Sequence, residues 1–304
     1  MTGGSGMHDG TEPPSPGALE AVVLVDDVAV PPDAAEHGFA VWIRYRGTNI
    51  LFDTGQREAL FRNAARRGVP LETADYVVLS HGHYDHTGGV VRMLEIAPQA
   101  RFMAHPGVLL TRFAVRHGEP ARSIGMPEEA RPALLVANHG RVVFRVGPHE
   151  FVPGAHLTGT VARSRAFEDV GGPFFLDERG FTPDPLNDDQ ALWCAVDDGC
   201  VVFLGCAHAG VVNTLDAVRR RAGDLRVHAV IGGMHLLNAS QDRLRATVGV
   251  LRELNIPVIA PCHCSGGRAV QALAGAFPGA FVECRTGTEF RFPDSLVRSV
   301  AVAG

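Results

Sequence analysis

The sequence of 304 residues predicts a mixed α/β (α+β) chain folded as a four-layer αββα sandwich, with two sheets face to face and helices outside. Three observations predict it. Strand-like and helix-like segments alternate in both halves; each half carries its own group of apolar strands with helices to cover one face; and no linker rich in Pro, Gly or Ser divides them. Residues 18–304 therefore read as one domain. Residues 1–17, MTGGSGMHDGTEPPSPG, hold scarcely an apolar side chain and cannot offset the entropy of ordering, so they read as a disordered tail.

In chain order, Ala21 to Val30 is a strand, and GFAVWIRYR (38–46) with NILFDTG (49–55) forms a hairpin about Gly47–Thr48, rich in β-branched and aromatic residues. A helix over Glu58 to Arg67 is stopped by Gly68 and Pro70. YVVLS (76–80) is a short apolar run suited to the middle of a sheet, and it leads directly into HGHYDHTGG. Gly88 to Ile96 reads as helix, 101–105 as strand and 107–117 as helix. Residues 118–140 and 163–187 lack periodicity and read as long loops beside a site, with strands RVVFRV (141–146) and HLTGTV (156–161) between them. The second half gives strands at 191–196, 201–206, 226–231 and 257–261, helices at 211–221, 242–254 and 267–276, and a closing pair FVECR and EFRF.

Composition narrows the chemistry. All 28 cationic side chains are arginine, which excludes a Schiff-base lysine, a Gly-Lys-Ser/Thr phosphate loop and a lysine general base. A net charge of −5, with Arg219–Arg221 as the densest basic run, gives no footprint for nucleic acid. The chain has no apolar run of membrane-spanning length and no secretory leader pattern, so the expectation is a cytoplasmic protein without a membrane partner. Six cysteines in so long a chain read as reduced thiols, not a disulfide framework.

The 14 histidines turn attention to metals, and spacing supplies the argument. His81, His83, Asp85 and His86 follow the strand 76–80 at once. Positions two apart in an extended segment face the same way, so His81 and His83 can grip one cation while Asp85 and His86 turn toward a neighbouring position. Gly82 lets the backbone bend, and Gly88 and Gly89 allow a tight entry into the next helix. His208 and His263 each follow an apolar strand, VVFLGC and PVIAPC, on a loop at a strand end, where binding groups are held on a rigid frame. His235, after a third such strand, reads as either structural or substrate-facing. Cys206, Cys262 and Cys264 flank these positions and read either as soft metal donors or as small buried hydrophobes.

LSHGHYDHTGG, preceded by ILFDTG (50–55), resembles the HxHxDH motif and upstream strand of the metallo-β-lactamase fold superfamily. DDQAL (188–192), GCAHAGVVN (205–213), IGGMHL (231–236) and PCHCSG (261–266) resemble the dihydropterin ribofuranosylaminobenzene phosphate synthase-like subfamily, and the resemblance spans most of residues 38–290. It implies that His81 and His83 ligate one metal, that Asp85 and His86 ligate a second, and that His263 is the last ligand. For the middle ligands the nearest segments are PGAH (153–156) and GCAH (205–208), with Cys206 where the family carries a bridging aspartate. His208 is the favoured ligand, with Asp189, His156 and His235 as alternates.

The expected cofactors are two divalent metal ions, zinc first, with manganese or iron as the other candidates. The expected reaction is hydrolysis, or phosphoryl-ester or pyrophosphate processing, by a metal-activated water that Asp85 orients or deprotonates. The substrate would be a small phosphorylated molecule, pterin-linked in the subfamily reading, with His235, Arg163 and Asp189 as binding residues; an arginine can grip a phosphate bidentately. A lactone or thioester hydrolase, a low-turnover ligand-binding regulator and an iron oxidoreductase are the competing readings. The protein is open to forming a homo-oligomer.

Overall fold

The computed structural model describes residues 19–137, 140–197, 199–223 and 225–292. The tail expected over 1–17 lies outside the described residues.

In the first half the elements are β1 (Leu19–Val25), β2 (Ala40–Tyr45), β3 (Thr48–Phe52), α1 (Ala59–Arg67), β4 (Tyr76–Val78), α2 (Tyr84–Thr87), α3 (Val90–Ile96), β5 (Arg101–Ala104), β6 (Phe113–Ala114), β7 (Arg122–Ser123), α4 (Ala130–Val136) and β8 (Val142–Phe144). There follow β9 (His149–Val152), β10 (Ala155–Leu157), β11 (Phe174–Phe175), β12 (Leu192–Val196), β13 (Gly199–Leu204), α5 (Val211–Ala222), β14 (Arg226–Gly233), α6 (Gln241–Glu253), β15 (Val258–Cys262), α7 (Gly267–Ala276) and β16 (Glu289–Phe292). They form a seven-stranded sheet in the order β16-β1-β2-β3-β4-β5-β8, a six-stranded sheet in the order β15-β14-β13-β12-β10-β9, and a small sheet β11-β6-β7.

Alternation of side chains dictates the layers. Val23, Ile43 and Phe52 of the first sheet meet Leu192, Phe203 and Ile231 of the second in one buried cluster. Outside the first sheet lie Leu60 of α1, Met93 of α3 and Leu134 of α4. Outside the second lie Leu215 of α5, Leu251 of α6 and Leu273 of α7. The αββα sandwich is the observed arrangement. No helix among the described residues is long and apolar enough to cross a membrane.

Local chemistry sets the turns. The β2–β3 hairpin reverses at Arg46 and Gly47, both with positive φ (49° and 76°), one residue before the expected pair. Such a turn matches the right-handed twist of its strands, and glycine reaches the second conformation without strain. Gly68 (φ 65°) closes α1 in the left-handed conformation, and the Ser240 side chain accepts from Arg243 N to start α6.

Four expectations are corrected. Residues 107–117 contain only a short 3-10 turn, Pro106–Leu109, and then β6, because Arg112 is drawn inward by Asp184 and Asp188. Residues 118–140 are not loop throughout, since α4 covers the first sheet there. His156 begins no long strand but sits in the hairpin β9–β10, and residues 281–285 form no strand, pairing with the sheet through a bridge from Phe281 to Ile259 while Cys284 packs into the core.

Strands β3, β4, β5 and β8 run parallel to one another, as do β13, β14 and β15. Their carboxyl ends therefore emerge together, and the loops after β3, β4, β13, β14 and β15 all reach the same place. Ligand sites of open α/β sheets form at such carboxyl ends.

Candidate metal centre

Five histidines and an aspartate converge where these loops meet. The ring centroids of His81 lie 4.6 Å from His83, 4.2 Å from His86 and 4.8 Å from His208, and that of His86 lies 5.0 Å from His263. His81 Nε2 and His83 Nδ1 face each other at 3.0 Å. Asp85 Oδ2 approaches His263 Nε2 at 3.4 Å and His86 Nε2 at 3.7 Å.

What organises the rings is behind them. Asp53, at the end of β3, binds His86 Nδ1 at 2.7 Å and receives the Ser80 hydroxyl at 2.7 Å; Ser80 Oγ in turn meets His81 Nδ1 at 2.8 Å. Asp27, just past β1, holds His263 Nδ1 at 2.6 Å, and the carbonyl of Val170 holds His208 Nδ1 at 3.0 Å. Four rings thus have Nδ1 engaged from outside, which fixes tautomer and orientation and leaves Nε2 for the centre. Metal-ligating histidines are held in this way by carboxylates and carbonyls.

Electrostatics agree with a ligand role. Burial, and then the neighbouring imidazoles, push His81 and His208 well below the usual range, so both rings are neutral and carry a free lone pair. Burial lowers His83 likewise. Burial works against the charge on Asp85, yet His86, His263 and His83 outweigh it and hold the carboxyl well below its ordinary value. Nε2 of His83 and of His208 are buried without a hydrogen-bond partner among the described residues. A buried polar atom left so costs about 1–3 kcal/mol, and a cation fits a neutral imidazole nitrogen.

The donor atoms fall into groups. His81, Cys206 and His208 have ligand atoms within 4.8 Å of one another, and so do His86, Cys206 and His263. Cys206, fully buried at the end of β13, stands between the two groups, 3.2 Å from His86 Nε2. The other residues considered for that position lie elsewhere. Asp189 accepts from Ala209 N at 2.8 Å and braces the loop that carries His208; burial pushes its carboxyl up to about 6. His156 stacks on Trp193 at 3.9 Å.

Arg163 gives its two terminal nitrogens to the carbonyls of His208 and Pro185, each at 2.6 Å, and so ties the loop 163–187 to the centre. His235 lies 4.2 Å from His208 ring to ring, and Phe174 of the small sheet packs on His83, His208 and His235 at 5.4–5.9 Å.

Some participants were not singled out by sequence. Asp53 lies in ILFDTG, which carries part of the family resemblance but was given no role, and Asp27, two residues past β1, acts through a histidine far along the chain that no local pattern reveals. His37, half exposed, places Nε2 3.3 Å from Asp85 Oδ2 and Nδ1 2.9 Å from Asp27. Arg112 holds Asp188, whose carboxylate accepts from Gly82 N at 2.9 Å and so anchors the loop between His81 and His83. A Cβ at Gly82 would lie 2.4 Å from the Arg112 guanidinium, so only glycine fits there.

The family model described as the Metallo-beta-lactamase superfamily matches residues 34–263. The 7,8-dihydropterin-6-methyl-4-(beta-D-ribofuranosyl)-aminobenzene-5'-phosphate synthase of Methanocaldococcus jannaschii is 26% identical over 269 residues, 85% of this chain and 90% of that protein. An uncharacterized protein of the same organism is 29% identical over 253 residues, 83% of this chain and 93% of its own length. A crystallised metal-dependent hydrolase of the beta-lactamase superfamily superposes with a TM-score of 0.77 at 28% identity, covering 91% of this chain and 100% of that one. Zn²⁺-bound PqqB from Methylobacterium extorquens, at 14% identity and a TM-score of 0.53 over 89% of this chain and 99% of its own, shares the fold.

Proposed function

The chain belongs to the metallo-beta-lactamase superfamily, whose members are generally metal-dependent enzymes, and on that premise we propose that it is a dinuclear metallohydrolase acting on a small phosphorylated molecule. The observation that carries this reading is the convergence of His81, His83, His208, His86, His263 and Asp85, with four of the rings braced from behind.

His81, His83 and His208 would hold one ion, Asp85, His86 and His263 the other, with Cys206 between them. Two such ions, when bound, lower the pKa of a shared water to about 7 and polarise the bond under attack. Everything else falls to the chain's own residues. Asp53, Asp27 and the Val170 carbonyl keep each ring aimed. The ionised Asp85 carboxylate would orient the attacking water, and His37, 3.3 Å from it, would offer a route for the released proton to solvent. Phe174 packs against one side of the centre, on His83, His208 and His235. A thiolate among imidazoles and a carboxylate suits zinc, or iron, better than manganese or magnesium. The six free cysteines fit a reducing compartment such as the cytoplasm.

The preference for a phosphorylated substrate rests on the similarity to the archaeal phosphate synthase over most of both chains. The test is turnover by protein stripped with a chelator and reloaded with zinc, manganese or iron, on phosphodiester, pyrophosphate, lactone and thioester substrates. Metal-restored cleavage of a phosphoester or pyrophosphate is expected. Turnover only of lactones or thioesters would move the substrate class, and bound metal with no turnover at all would favour a ligand-binding regulator.

A further inference from the structure

Beside the centre stand two potential donors that none of these steps uses, Cys264 directly after His263 and His235 after β14. We propose that Cys206, Cys264 and His235 form a further, sulfur-rich cation position that takes a soft ion such as Zn²⁺ or Cd²⁺. It goes beyond the dinuclear reading and shares only Cys206 with it.

The geometry is that of a closed cluster. One ligand atom from each of the three residues lies within 4.8 Å of the other two. A tetrahedral zinc with Zn–S near 2.3 Å and Zn–N near 2.0–2.1 Å spaces its ligand atoms by roughly 3.5–3.8 Å, so the set needs to contract by no more than about 1 Å around an ion, with a water or substrate atom as the fourth ligand. The loops that supply the donors are tied together: Met234 N donates to Ser265 Oγ at 3.1 Å, Leu237 N donates to the Cys264 carbonyl at 3.3 Å, and Cys264 Sγ contacts the Cys206 carbonyl at 3.6 Å.

Two features mark these side chains as placed for a ligand. His235 sits at positive φ (44°), a conformation non-glycine residues avoid unless the surroundings impose it, and its Nδ1 is buried without a hydrogen-bond partner among the described residues. Space is cleared on both sides. A Cβ at Gly233 would fall 2.7 Å from Cys264 Sγ, and one at Gly171 would collide with the His235 ring at 1.9 Å. The other thiols differ: Cys194, Cys200, Cys262 and Cys284 are buried and belong to no donor group among the described residues, as expected of small hydrophobes, whereas Cys264 is only partly buried. Two sulfurs carrying negative charge would also offset the repulsion between this cation and the neighbouring pair.

The test is metal content and thiolate-to-Co²⁺ charge-transfer absorption of the full chain after stripping and reloading with Co²⁺, for the unsubstituted protein, Cys264→Ser, His235→Ala and His81→Ala. The proposal expects Cys264→Ser and His235→Ala each to lose about one ion per chain, and Cys264→Ser to lose about half of the charge-transfer intensity. Unchanged content and intensity in both variants would overturn it. If His81→Ala then lost metal, the dinuclear reading would stand alone; the reverse pattern would sink that reading and keep this one. A measurement on the unsubstituted protein guards against misfolded variants: Cd²⁺ should protect Cys264 from alkylation while Mg²⁺ does not. Equal alkylation with and without Cd²⁺ contradicts the proposal.

Discussion

The two sheets deliver their halves of the centre in different ways. The first sheet supplies one loop after β4, where four donors occupy His81 to His86, and a single carboxylate, Asp53 of the neighbouring strand, orients two of them. The second sheet supplies isolated donors from three strand ends, Cys206 with His208, His235, and His263 with Cys264, and His208 and His263 are braced by different partners. His263 even takes its carboxylate from the far side of the sandwich, since Asp27 follows β1 of the first sheet. One arm is preorganised by adjacent backbone, the other by long-range packing. Damage to the first should therefore spread through the site, and damage to the second should stay local.

The largest effect is expected from Asp53→Ala. It frees His86 and, through Ser80, His81, so metal affinity in chelator competition should fall toward the upper end of the ~10–100-fold range typical of groups that support ligands. Both ions should be affected. Asp27→Ala releases one metal-facing ring, His263, together with the half-exposed His37, and Asp27 is partly solvent-exposed, so a loss near the lower end of the same range, about 10-fold, is expected for one ion alone. Equal losses in the two variants would erase the contrast between the arms.

A smaller effect distinguishes the bracing of His208. The Asp189 carboxyl, raised by burial to about 6 from 3.8, keeps its proton in the folded state where the unfolded chain has already released it. Stability of the metal-free protein from this group is therefore lost as pH rises from about 4 to 6. Asp189→Asn cannot titrate, so its melting temperature should gain on that of the unsubstituted protein across that interval; a constant difference would show that Asp189 ionises normally. The smallest effect is expected from His156→Ala. Its ring stacks on Trp193 away from the donors, so metal content should not change, and a lost ion would return His156 to the ligand set.

The contrast between the arms also explains what could be read from sequence. The layers follow from apolar runs such as VVFLG, and the first arm from the HxHxDH spacing, because both depend on neighbours in the chain. The helix expected over 107–117 fails for the opposite reason. Its Arg112 is buried by Asp184 and Asp188, and that pairing, with partners 72 and 76 residues away, overrides the local pattern. The same distance hides Asp27, which is 236 residues from the histidine it holds, and His37, which had no supporting spacing of its own. Pro-Gly-Ala-His at 153–156 carried the residue types of a ligand turn, yet its glycine serves the hairpin β9–β10, with φ 86°. Cys206 could be located because it follows a strand; its place between two donor groups needed the fold.

The two arms meet around two ions, and the number and placing of those ions decide the site. Elemental analysis of protein purified without added metal, alongside His81→Ala and His263→Ala, tests it most directly. Each substitution should lower the metal content, with His81→Ala acting on one ion and His263→Ala on the other. Full metal content in both variants would contradict the site described for this chain.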